Sequence, residues 1–408
     1  MRVLWISPYL PWPTTGGNKV RQYQLLRCLR AQGHRVTLLI QSKTALTAPV
    51  RTALEAVSER LIVLKRRLRS HPLTLAAALL SPYPVVVSVN GLSARLARTL
   101  DTLLEEHWDA VHVEHSYGVQ SLLAPLQRHH TPFVLTEHNV ESVVTTHATY
   151  HPQLPRLLLP ALQRYDAWRY RRWERTVLSK PARLIAVTPE DAAQLAAIAA
   201  RPVDVVPNGV DARASAAVQP DYQSGRALFV GNFDYEPNVA AVTWAVSEIL
   251  PRVWQHRPQV RFVVCGHGMP STWPARWPDP RIEWRGFVED LSQEQRRCAL
   301  LLAPLQGGGG SKLKVLEAMA AGLAVLTTAH GVTGLDVREG HDYREASDAE
   351  GLARAMIELL DSPAQMHRLG SAARAYVQRH HDWPALAIQL TALYRAAAAL
   401  QSAAPAPA

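Results

Sequence analysis

The chain reads as an α/β protein built from two Rossmann-like, doubly wound parallel sheets in tandem. Three observations predict it. At 408 residues it exceeds what one ordinary hydrophobic core supports, so two domains are expected. Short apolar runs alternate with helical stretches, the pattern of parallel βαβ units. The alternation occurs in two series, separated by Val206-Pro207-Asn208-Gly209-Val210-Asp211 and the polar run from Ala212 to Gly225, which reads as the interdomain connection.

The first series opens with an apolar run over Val3–Ser7, a Pro/Gly loop from Tyr9 to Gly17, and a helical period over Val20–Ala31. Gly33 stops that helix before a strand over Val36–Ile40. Leu61–Leu64, Ala110–Val113, Phe133–Thr136 and Leu184–Val187 continue it as strands. The second series comprises Ala227–Val230, Phe262–Cys265, Ile282–Arg285, Leu300–Ala303 and Ala324–Thr327. The expected domains are 1–200, completed by a closing amphipathic helix over 383–400, and 207–380, with an Ala/Pro-rich disordered tail over 401–408. Ligands of such sheets bind at the carboxyl ends of the strands, here expected in a cleft between the two halves.

With 48% hydrophobic and 19% charged residues the composition is that of a soluble globular protein. Three cysteines, Cys28, Cys265 and Cys298, show neither paired nor metal-like spacing, which fits a reducing compartment. The start Met1–Pro8 is too short an apolar run for a signal peptide, and Leu73–Val89 is interrupted by Ser81, Pro82 and Pro84. A cytoplasmic protein is expected unless it rests on a surface. The net charge of +10 suits an anionic partner: phosphate ligands, an anionic membrane face or nucleic acid.

The strongest chemical signal is Gly307-Gly308-Gly309-Gly310-Ser311-Lys312-Leu313-Lys314-Val315-Leu316-Glu317-Ala318-Met319-Ala320-Ala321-Gly322. Lysines in a first helical turn oppose the macrodipole, by roughly 0.3–1 kcal/mol each. Free N–H groups at that end, reached through glycines, attract an anion, and a bound phosphate reconciles the lysines with the dipole. The bland reading is a flexible loop before a helix with a Lys314–Glu317 pair.

Weaker signals fall at strand ends. Thr14-Thr15-Gly16-Gly17-Asn18 offers paired glycines, either for a phosphate or hydroxyl or for an ordinary turn. His115 and His138 each follow a strand, whereas His112 lies within one; no H-x-x-x-H or C-x-x-C spacing marks a metal site. Gly231 with Asn232, Gly266 with Gly268, and Gly286 with Phe287 and Val288 repeat a strand-then-glycine pattern that fits a flat ligand along one sheet edge. Arg164, Tyr165, Trp168, Arg169, Tyr170, Arg171, Arg172, Trp173 and Arg175 form a basic, aromatic stretch. With Lys65–Arg69 upstream of Leu73–Leu80, it suits either a membrane headgroup layer or a solvated helix with aromatics packed beneath.

Together Ser7-Pro8 with Gly16-Gly17, Thr136–Asn139, Val206–Asp211, Val230–Asn232, Glu236–Asn238, Gly286–Val288 and Gly307–Gly322 resemble glycosyltransferase family 4, of the GT-B fold. The resemblance covers nearly the whole chain. It implies a retaining transfer of a sugar from a nucleotide-diphosphate donor to a polysaccharide or lipid-linked acceptor, in cell-envelope or exopolysaccharide synthesis. Lys312, with the N–H groups of Gly310 and Ser311, would hold the diphosphate, and Glu317 the ribose hydroxyls. Arg285–Val288 would hold the base through its main chain, Gly17 would lie near the phosphate and sugar, and His138 would act at the reacting carbon. No bound metal and no other cofactor is implied, because the helix dipole and lysine stabilise the leaving diphosphate. The expected setting is the cytoplasm, with peripheral contact at the inner face of the plasma membrane as the variant in which it rests on a surface, and no nucleic-acid partner is expected.

Two positions depart from the family pattern. Gly309 stands where the family often has a sugar-binding Glu, and Asn232-Phe233-Asp234 replaces its usual Arg, which shifts phosphate neutralisation onto Lys312 aided by Lys314. Two other readings remain open at this point: a nucleotide-sugar 2-epimerase of the same fold, and a non-catalytic nucleotide-sugar-binding protein.

Overall fold

The computed structural model describes residues 1–66, 81–144, 159–308 and 312–402. Contacts divide the chain into two compact units, one of Met1–Pro207 with Leu386–Ala408 and one of Asn208–Ala385. Each has its own buried apolar core.

In the first unit the described strands form a seven-stranded sheet of order β3-β2-β1-β4-β5-β6-β7. These are β1 (Arg2–Ser7), β2 (Arg35–Ser42), β3 (Arg60–Lys65), β4 (Ala110–Glu114), β5 (Val134–Glu137), β6 (Arg183–Ala186) and β7 (Asp204–Val205). Every pairing is parallel, and the order steps outward both ways from β1, the doubly wound arrangement. β1, β2 and β4 are almost wholly buried because helices cover both faces of such a sheet. The two-residue β7 carries no periodicity long enough to be read from sequence.

In the second unit six described strands are ordered β10-β9-β8-β11-β12-β13, again all parallel. They are β8 (Arg226–Val230), β9 (Arg261–Cys265), β10 (Ile282–Gly286), β11 (Leu300–Ala303), β12 (Ala324–Thr327) and β13 (Arg344–Glu345). β11 and β12 read as unbroken apolar runs because all their residues are buried.

Two expectations need correction, and one open reading is resolved in part. The run after Asp211 is not a free connection. It forms a short helix, Ala212–Ala216, capped by the Asp211 carboxylate and belonging to the second unit. Arg374 then donates to Val218 O at 2.6 Å, and the Tyr222 hydroxyl to Gly322 O at 2.5 Å. Ala-rich polarity misled here because its few apolar anchors, Ala212 and Val218, are widely spaced. The first long helix begins at Gly17, not Val20, so Gly16 is its N-cap and Gly17 its first residue. The basic, aromatic stretch lies on the helix Leu159–Val177 and is two-faced: Tyr165 and Trp168 are about half exposed, while Tyr170, Trp173 and Arg169 are buried. Arg169 pairs with Asp166 at 2.6 Å. Arg66 is likewise buried, against Pro8 O and the Asn90 side chain; residues 67–80 and 403–408 lie outside the described residues.

The closing helix spans Trp383–Ser402, and from Leu386 onward it belongs to the first unit. Its Thr391 and Tyr394 are buried there and meet His34 and His112.

The loops at the carboxyl ends of β8 and β9 are held together by glycine. Gly266 has φ +149°, and a Cβ there would fall 1.7 Å from Gly231 O. Gly231 N–H donates to Cys265 O and Phe233 N–H to His267 O, so the two loops run side by side. We expect Gly266→Ala to cost the second unit about 2–4 kcal/mol, read as a lowered denaturant midpoint for its unfolding. A loss under about 0.5 kcal/mol would mean the loops separate freely.

Candidate functional site

Of the predicted donor residues that the structure describes, all but Gly17 belong to the second unit, Gly231, Asn232, Phe287 and Val288 at strand ends and Lys312, Lys314 and Glu317 at the start of one helix. That helix, Leu313–Ala320, has Lys312 as N-cap, whose own side chain makes no capping hydrogen bond. Lys312 Nζ donates to Gly308 O at 2.7 Å, and His330 Nε2 meets the same carbonyl at 2.8 Å. Gly308 has φ +109° and lies against the Tyr235 hydroxyl, where a Cβ would clash at 2.8 Å. Gly309, Gly310 and Ser311 lie outside the described residues.

Lys314 turns inward from the same helix. Its Nζ bonds the Asn238 side-chain oxygen and sits 4.7 Å from the centre of the Phe229 ring. Asn238 Nδ2 in turn donates to Asn232 O at 2.7 Å, and the Asn232 side chain accepts from Asp234 N–H at 3.0 Å. The amino group therefore stands beside the loop after β8. This is the strand end at which the sequence lacks the Arg that the resemblance implies. Burial pulls the Lys314 amino group down to about 7, with repulsion from Lys312 adding to it and Glu317 opposing. One turn on, burial pushes the Glu317 carboxyl up to about 7, against the pull of Lys314. Both groups carry charges that the apolar surroundings disfavour, so an anionic, hydroxyl-bearing ligand would stabilise the arrangement.

Gly231, Asn232, Phe287 and Val288 stand at the ends of β8 and β10. Phe287 is 66% exposed, edge-on to His267 at 6.4 Å, whereas Val288 packs on the core. Gly286, at φ +66°, closes β10 with a shift in register, and its carbonyl accepts from Gly266 N–H at 2.7 Å.

In the first unit, His138 sits beyond β5 and His115 beyond β4, their rings stacked with centroids 4.3 Å apart. His138 Nε2 lies 2.6 Å from Glu114 Oε2, and His112 Nε2 3.1 Å from Glu114 Oε1. Burial alone would raise the Glu114 carboxyl, but His138 and His112 outweigh it and hold it well below the usual carboxylate range. His115 is buried, and burial, then His138, pushes its imidazole well below its ordinary value; it is neutral. It stands at φ +63°, a conformation costing a non-glycine residue about 1–3 kcal/mol. The Tyr9 hydroxyl at 2.7 Å from Nε2, the N–H bond to Thr136 O and stacking on Tyr117 hold it there. Gly17, first residue of the helix Gly17–Ala31, belongs to this unit, whose Gln22 donates to the Tyr9 hydroxyl at 2.8 Å.

A second acidic group lies behind. Glu137 Oε1 accepts from Ser116 N–H at 2.7 Å, and burial followed by Glu141 pushes its carboxyl well up. Burial and Glu174 push Glu141 up to about 7. Among the described residues two trios bring ligand-type atoms within 4.8 Å: Glu114, His115 and His138, and His115, Glu137 and Glu141. Spacing along the chain hid both, because each draws on two strand ends. In the first trio the Glu114–His138 separation is that of a hydrogen bond carrying a proton.

Reasoning from sequence missed Glu114, Tyr394 and His330. Glu114 had a usable signal: a carboxylate within a strand covered on both faces needs a buried partner. His330 follows β12 and had none, since its link to Gly308 spans 22 residues.

Two family models match the chain: one described as glycosyl transferases group 1 over residues 224–362, and one as glycosyl transferase 4-like domain over 16–209. The phosphatidyl-myo-inositol mannosyltransferase of Mycobacterium tuberculosis is 30% identical over 211 residues, 47% of this chain and 54% of the relative, so the match spans about half of that protein. The glycogen synthase of the same organism is 24% identical over 97% of this chain and 95% of its own. Anabaena HepE, solved in complex with UDP and glucose, superposes with a TM-score of 0.66 at 15% identity, covering 96% of this chain and 99% of its own. That likeness extends the GT-B fold to both units.

Proposed function

The chain belongs to the group 1 glycosyl transferases, and on that premise we propose that it moves a sugar from a nucleotide-diphosphate donor to a glycan or lipid-linked acceptor. The observation that carries this reading is the placing of Gly308, Lys312, Lys314 and Glu317 together after the central strand β11 of the second unit. Lys312 and the open helix N-terminus neutralise the diphosphate, and Lys314 adds a second positive charge where an arginine is lacking. Glu317 accepts the ribose hydroxyls, and the backbone by Phe287 and Val288 takes the base. With charge supplied by these groups, transfer proceeds without a divalent ion, and chelator leaves its rate unchanged.

His138 acts at the sugar, and transfer retains the anomeric configuration. The relatives' names support both acceptor kinds, one acting on an inositol lipid and one on glycogen. No helix among the described residues is long and apolar enough to cross a membrane. A lipid-linked acceptor would therefore be met from the surface, where the exposed Tyr165 and Trp168 suit a headgroup layer.

Glu317→Ala tests the ribose assignment. It should weaken the donor nucleotide about tenfold, yet leave an analogue lacking the ribose hydroxyls unaffected. Equal weakening of both would remove that role. Product analysis tests the class: with donor alone, the nucleotide-bound sugar should come back unaltered or hydrolysed. An epimerised nucleotide sugar would replace transfer by isomerisation.

A further inference from the structure

We infer that Glu114 is a positioning residue that holds the His138 imidazole in a single tautomer, and that the closing helix braces it through His112. The inference rests on the reading that His138 acts at the sugar. Three contacts form one buried chain: Tyr394 hydroxyl to His112 Nδ1 at 2.9 Å, His112 Nε2 to Glu114 Oε1 at 3.1 Å, and His138 Nε2 to Glu114 Oε2 at 2.6 Å. Tyr394, His112 and Glu114 are completely buried and His138 is 6% exposed.

The proton positions follow from what each group can do. An ionised carboxylate only accepts, so both Nε2 atoms must donate to it. His112, held neutral by burial, then has Nδ1 as an acceptor, and the Tyr394 hydroxyl supplies the proton it needs. Thr136 Oγ1, 3.3 Å from His112 Nε2, lies beside the same bond. Stacking fixes the ring planes: Trp5 lies on His112 at 3.9 Å, and His115 on His138 at 4.3 Å. With Nε2 committed to Glu114, Nδ1 is the ring nitrogen of His138 left for a ligand hydroxyl. A positive charge developing on that ring would find its counter-charge already in place.

The two Nε2 atoms meet different oxygens of Glu114, and a carboxamide replaces one of these by an NH2 donor, so it cannot accept at both positions. Glu114→Gln should therefore shift the His138 ring-nitrogen NMR signals of isotope-labelled protein away from the protonated-Nε2 pattern. Transfer kcat should fall about 10- to 100-fold while the KM for nucleotide sugar stays within about twofold. Tyr394→Phe, which removes only the far end and keeps the ring, should move the same signals to a smaller extent. It also serves as the test if the first variant does not fold. Unchanged His138 signals in either folded variant would overturn the inference. The tautomer readout needs no turnover, so it stands apart from the reading it rests on. Full activity in His138→Ala would sink that reading instead.

Discussion

Lys314→Met should melt higher than the parent protein in the absence of ligand and lose its response to nucleotide sugar. The amino group is held at about 7 by its surroundings, against an ordinary value near 10.5. Between those limits the unfolded chain binds the extra proton, so this group's contribution to stability rises with pH from about 7 to about 10. Below about 7 its cost is complete, and there the substitution should gain most. Methionine keeps the contact over Phe229 and removes the buried charge, a net gain of about 1 kcal/mol or about 2–4 °C. Glu317 runs the other way: its raised value, about 7, means the folded chain keeps a proton that the unfolded chain releases above the usual carboxylate range. That stabilisation is lost as pH rises through 7. A bound diphosphate favours protonated Lys314, so donor affinity should weaken as pH rises above 7 and binding should take up a proton. Calorimetry in buffers of different ionisation enthalpy reads that uptake. A variant that melts lower, or still takes up a proton on binding, would show that Lys314 serves packing alone.

His138→Ala should lose transfer by about 100- to 1,000-fold while keeping donor affinity within about twofold. Gly17 apart, the proposed donor-binding residues belong to the second unit and His138 to the first, so the substitution should leave the nucleotide's proposed partners in place. The loss should appear in kcat. Isothermal binding of the nucleotide alone provides the control, and a parallel fall in affinity would assign His138 to donor binding.

The fold was legible because its evidence is local. Apolar runs such as Leu300–Ala303 and Ala324–Thr327 mark buried strands, and Gly33 ends a helix where the next strand must begin. Elements below that threshold escaped: the two-residue β7 and β13 depend on neighbours for their pairing. The proposed donor segment of the second unit stood out for a similar reason, since Gly308, Lys312, Lys314 and Glu317 lie in one continuous stretch from loop into helix. What Lys314 touches was not, because Asn238 lies 76 positions earlier in the chain. The histidines were visible at strand ends, but their chemistry depends on Glu114, which only the β4–β5 pairing brings to His138. On the helix Leu159–Val177 the reading of aromatics packed beneath a solvated face holds for Tyr170 and Trp173, whereas the burial of Arg169 was hidden, because its partner Asp166 is not marked by charge pattern alone.

The claim on which the rest depends is that the glycine, lysine and glutamate residues of the second unit form a nucleotide-sugar site. Thermal unfolding against UDP-, GDP- and dTDP-sugars, run in parallel on the parent chain and on Lys312→Ala, tests it most directly. One nucleotide class should raise the melting temperature of the parent, by about 2.7 kcal/mol of stabilisation at a ligand concentration a hundred times Kd. Lys312→Ala should abolish that rise while unfolding as cooperatively as the parent without ligand. A parent chain that responds to none of the three classes, or a variant that responds as strongly as the parent, would contradict the assignment.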